Sequence, residues 1–100
     1  MEDFMKEIIW EEFDIAEMCG KNTITNMADA KFNEYRDNIE WLTMLIMVIN
    51  HKSWHHHDIG NDNLSELYAE LYYKYYEEAI ELLEVENRDA DLTYFIRTLD

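Results

Sequence analysis

The 100-residue sequence predicts an all-α fold, specifically a single-domain four-helix bundle, and three observations carry that prediction. Two glycines and no prolines leave few breakers, while helix formers dominate over runs of valine and threonine. Apolar residues recur at spacings of three and four through most of the chain. Finally, the stretch from Trp41 to Ile49 is apolar at every position except Thr43. As a helix it is greasy all round, and it needs other helices on every side.

The first predicted helix covers 2–19. Met5, Ile8, Ile9, Phe13 and Ala16 form its inner face, and Glu7, Glu11, Asp14 and Glu17 lie elsewhere on its surface. Gly20, with Lys21 and Asn22 behind it, reads as a left-handed C-terminal stop. Thr23, Thr25 and Asn26 are the available N-caps, and Asp29 falls in the first turn after Asn26. A long central helix over 26–52 follows, because Phe32, Tyr35, Ile39, Leu42, Ile46 and Ile49 keep one phase. It can extend to about 57, since HKSWHHHD contains no breaker before Gly60.

Gly60-Asn61-Asp62-Asn63 is a loop, and Asn63 with Glu66 three residues later reads as the start of a third helix over 63–85. Its inner stripe is Leu64, Leu67, Tyr68, Leu71, Tyr75, Ala79 and Leu82. Tyr68, Tyr72, Tyr73, Tyr75 and Tyr76 suit boundary positions, with rings packed and hydroxyls wet. A last short helix over 90–99 places Leu92, Phe95, Ile96 and Leu99 on one face. Short loops make the long central helix pair antiparallel with the third.

Hydrophobic residues are 48% of the chain, enough for a core despite a net charge of −15. With 23 carboxylates against 8 Lys and Arg, direct binding to nucleic acid or to anionic membranes is unfavourable, and a basic protein partner fits better. Cys19 has no partner for a disulfide, which points to an intracellular, cytoplasmic setting. The start MEDFMKE lacks the basic and apolar character of a signal peptide, and nine apolar residues fall short of the roughly 20 that span a bilayer.

Two features carry candidate chemistry. On a continuing helix, His51, His55 and Asp58 lie at i, i+4 and i+7, a spacing that offers two imidazoles and a carboxylate to one divalent metal. Lys52 occupies the position of the general-base glutamate in an HExxH pattern, so a zinc hydrolase of that type is disfavoured. The ordinary alternative is a histidine-rich helix end lying against the negative pole of the dipole. The second feature is Glu66, Glu70, Glu77, Glu81 and Glu84, which form one stripe with a rise of about 6 Å per i to i+4 step. Lys74 falls in its gap and can pair with Glu70 and Glu78, interrupting it. The ordinary alternative is a solvated helix face, and the sharper one is a carboxylate row that imitates phosphates.

No glycine-rich phosphate loop, CxxC or GxSxG motif is present, so no cofactor is expected and the chain reads as a non-enzyme. Trp10, Trp54 and any exposed tyrosines supply anchors for an interface, a homo-oligomer included. In size, acidity, helical pattern and the Glu66 to Glu84 stripe, the chain resembles the small anti-CRISPR and DNA-mimic proteins that bacteriophages and mobile elements use to block host defence nucleases. The resemblance implies a stoichiometric inhibitor of a nucleic-acid-binding nuclease. It assigns no residue a role.

Overall fold

A computed structural model describes residues 2–100, with side chains from Phe4 onward. Among the described residues the architecture is all-α, and the helices are α1 (Glu2–Cys19), α2 (Lys21–Tyr35), α3 (Ile39–Asp58), α4 (Asp62–Val85) and α5 (Asp89–Leu99). The bundle therefore has five helices, not four. The expected single helix over 26–52 is broken at Arg36-Asp37-Asn38, where Asn38 turns extended and its side chain accepts a hydrogen bond from the Trp41 amide. Asp and Asn compete with the helical backbone for hydrogen bonds and favour caps, which is why the break falls there.

α3 packs against all four other helices, and its interface with α4 is the most extensive in the molecule. Ile46 and Val48 sit on nearly opposite sides of α3, and both are 0% exposed. The greasy stretch is thus enclosed all round, as its composition requires. Thr43, the one hydroxyl in it, donates to the Ile39 carbonyl at 2.7 Å and so needs no partner from a neighbour. The radius of gyration of 13.1 Å matches the roughly 13 Å of a compact body of this length. No helix among the described residues is long and apolar enough to cross a membrane.

The turns have distinct origins. α3 runs through the histidines and ends at Gly60, whose φ of 80° is the left-handed stop of a helix C-terminus, with the Asn61 amide bonded back to the His56 carbonyl at 2.8 Å. The side chain of Asn61, rather than the expected Asn63, caps α4 by accepting from the Leu64 amide. Asn87, at φ 55°, closes α4 in the same way as Gly60 closes α3. Arg88 then ties the two ends of the bundle's connections together, donating to the Arg36 carbonyl at 2.7 Å and to Asp91 at 2.9 Å.

Gly20 behaves differently from the left-handed stop expected of it. Its φ of 117° and ψ of 172° lie in a region essentially reserved for glycine, and this one residue joins α1 to α2 with no further loop. The caps expected at Thr23, Thr25 and Asn26 are therefore inside α2. A Cβ at residue 20 would meet no atom within 4 Å, so Gly20→Ala isolates the backbone strain. The expected loss is about 1–3 kcal/mol in urea denaturation, and an unchanged midpoint would contradict that origin.

Candidate interaction surface

The phase of α4 is fixed by its buried residues Tyr68, Leu71, Tyr75, Ala79 and Leu83. At about 100° per residue, Glu66, Glu70, Glu77, Glu81 and Glu84 fall within an arc of about 60° on the opposite side. All five are exposed. The row is about 27 Å long at about 1.5 Å rise per residue, and none of its members makes an ion pair among the described residues.

Lys74 does not interrupt the row. It leans toward α2, with Nζ 3.9 Å from Asp29 Oδ1 and 5.0 Å above the Tyr75 ring. The gap between Glu70 and Glu77 is bordered by Tyr73, 67% exposed. The surface is therefore an anionic ridge on a 24-residue helix, flanked midway along by Tyr73 on one side and by Lys74, turned toward Asp29, on the other. Its charge density is about one per 7 Å, roughly half that of a single nucleic-acid strand at one per 3.4 Å.

The tyrosines divide sharply. Tyr68 and Tyr75 are wholly buried rather than at the boundary, and each hydroxyl donates to a carboxylate, Tyr68 to Glu17 at 2.6 Å and Tyr75 to Asp29. Burial and those anionic acceptors push both phenols well above their ordinary range.

A buried ionic cluster joins α1, α3 and α4. Lys52, only 1% exposed, bonds Asp14, lies 3.0 Å from Glu17, and holds its ammonium 4.2 Å above the Trp10 ring. His56, also buried, lies parallel to the Tyr68 ring at 5.6 Å, with Nε2 at 3.2 Å from Glu17 Oε1 but neither ring nitrogen aligned for a hydrogen bond. Glu17 is the hub. Burial opposes its charge, yet hydrogen bonds from Tyr68 and Lys52, the nearby His56 and the Lys52 charge outweigh that cost and hold its carboxyl below the ordinary 4.5. Glu17, expected on the surface, is thus turned toward α3 and largely buried, whereas Asp14 remains exposed as expected while reaching Lys52. The signal that locates Lys52 is its place in the buried series Leu42, Leu45, Ile49, Lys52 and His56, spaced by three and four.

The histidines are consequently dispersed among different neighbours. His51 is exposed, and partial burial together with the Lys6 charge lowers its pKa. His55 packs edge-on against Trp10 at 5.4 Å, His57 lies edge-on to Trp54, and His56 points inward. Asp58, the last residue of α3, is exposed. Among the described residues no three His, Cys, Asp or Glu side chains are placed to hold a metal ion, so His51, His55 and Asp58 are not gathered into a ligand set. His55, His56 and His57 lie in the last turn of α3, beside its carbonyl end, a position the helix dipole favours for imidazoles. Comparison with protein-family models, with curated protein sequences and with solved structures gives no match.

Proposed function

We propose that this chain is a non-enzymatic acidic binding protein that occupies a basic nucleic-acid-binding surface of another protein, most concretely a host defence nuclease blocked by a phage or mobile-element inhibitor. The observation that supports this reading is the unpaired ridge Glu66, Glu70, Glu77, Glu81 and Glu84, rigid and facing away from the core. Five carboxylates with no ion-pair partner among the described residues repel one another on the free protein. A groove lined by Lys and Arg relieves that repulsion and releases the anions that neutralise the groove. Tyr73 adds an aromatic anchor where interface energy concentrates, at the centre of the patch.

The test is a pull-down from host-cell lysate followed by salt titration and competition with duplex DNA. A nucleic-acid-binding nuclease that elutes with salt and is displaced by DNA is the expected result. Reversing Glu70, Glu77 and Glu81 together to lysine should weaken that complex at least about a hundredfold, because each position then repels the groove. Binding unchanged by the triple reversal would sink the reading. A homo-oligomer built on exposed Trp54 and Tyr73 is the second reading, supported by the exposure of both rings. Light scattering that shows only monomer over a wide concentration range removes it.

A further inference from the structure

α1 carries two apolar faces, whereas a surface helix normally carries one. The inner face, with Met5, Ile9, Phe13 and Ala16, is buried in the core. At about 100° per residue, Phe4, Ile8, Ile15 and Met18 fall within an arc of about 80° centred roughly 130° from that inner face, over a length of about 21 Å. Ile8, expected on the inner face, is half-buried at the edge beside Met5. Phe4, Ile15 and Met18 are 62%, 64% and 87% exposed. Within the same arc lies Glu11, and Glu7 borders it, both exposed and with no ion pair among the described residues.

That central carboxylate decides what can cover the stripe. An antiparallel pairing of two copies about a two-fold axis sets Phe4 against Met18 and Ile8 against Ile15 of the second chain, which is sterically reasonable. It also sets Glu11 against Glu11 at the axis, between two chains that each carry −15. Like charges so placed cost affinity, and an anionic lipid surface meets the same repulsion. A partner with the opposite rim has neither problem.

We propose that the outward face of α1 docks a basic amphipathic helix of a protein partner, its apolar stripe lying on Phe4, Ile8, Ile15 and Met18 and its Lys or Arg side chains meeting Glu11 and Glu7. The anchors at 4, 8, 15 and 18 have the spacing of one straight helix laid along another. This contact lies on a different helix from the α4 ridge and stands independently of the function assigned to it.

The probe is a synthetic amphipathic helix of leucine and arginine, titrated into isotope-labelled full chain and followed by amide chemical shifts. The expected shifts are confined to α1 between residues 4 and 18, and a twin peptide with glutamate in place of arginine does not bind. Ile15→Glu should weaken binding at least about tenfold although it adds a negative charge, and Glu11→Lys should weaken it as well. Both positions are exposed, so the melting temperature of each variant stays near that of the parent. Shifts that map to the α4 ridge, or an Ile15→Glu variant that binds as well or better, would show attraction by charge alone and overturn the proposal. Concentration-dependent broadening of α1 without peptide, increasing with added salt, would make a second copy the occupant. Equal shifts with uncharged phosphatidylcholine vesicles would make it a lipid surface, and either result overturns the proposal too.

Discussion

Lys52→Ala is expected to destabilise the fold by about 3–5 kcal/mol, the cost of leaving a buried charge without its partner. Removing the ammonium leaves Glu17 facing Asp14 with no cation between them, and it opens a void against Trp10. For a chain of this size the melting temperature should fall by roughly 12 °C or more. The double variant Lys52→Met with Glu17→Gln is expected to recover much of that loss, since apolar and neutral groups of similar volume avoid the desolvation of two ions. A loss under about 1 kcal/mol for Lys52→Ala would mean that water reaches Glu17 as it reaches the half-exposed Asp14, and that the cluster is only a surface pair.

The same cluster sets an acid limit. Because the folded-state carboxyl of Glu17 lies below its ordinary value of 4.5, its contribution is fully present above that value and disappears as pH falls through the folded one. The difference in stability between the parent and Glu17→Gln should therefore shrink as the solution is acidified below about pH 4.5.

Val48→Asp is expected to abolish cooperative unfolding altogether. Val48 is enclosed on the side of α3 opposite Ile46, so an aspartate there is an unpaired charge in an apolar site, and its cost rivals the roughly 5–15 kcal/mol that holds an average domain together. Trp54→Asp, on the exposed part of the same helix, should stay within about 0.5 kcal/mol of the parent. Circular dichroism through a thermal melt separates the two. A folded Val48→Asp protein would show that one side of α3 is open to water, which the arrangement of α1, α2, α4 and α5 around it forbids.

What the sequence disclosed, and what it hid, follows from the range of the interactions involved. The limits of α1, α4 and α5 were legible within a residue because Gly20, Asn61 and Asn87 stand at or within two residues of their inner boundaries. The break between α2 and α3 was not. Phe32 and Tyr35 before it and Ile39 and Leu42 after it keep spacings of three and four across it, so periodicity alone runs straight through. The α4 ridge was readable because the buried phase of one helix dictates its opposite face. The exposure of Tyr73 was not legible because five tyrosines in one helix read alike as boundary residues, and its neighbours Tyr72 and Tyr76 do pack on the core, Tyr76 against Phe95 of α5. The ionic cluster was invisible for a different reason. Asp14 and Glu17 look like any solvated carboxylates until Lys52, 38 residues after Asp14, is laid beside them.

That separation along the chain has a consequence for synthesis. α1 is synthesised before α3 and α4, so the groups that bind its inner carboxylate arrive late, with Lys52 on α3 and the hydroxyl of Tyr68 a further stretch away, 51 residues after Glu17. α3 and α4, by contrast, are joined by three residues and close on each other as soon as both exist. The nascent chain thus passes through an interval in which α1 has only α2, joined to it by Gly20, to cover part of its inner face, and Glu17 lacks both Lys52 and Tyr68.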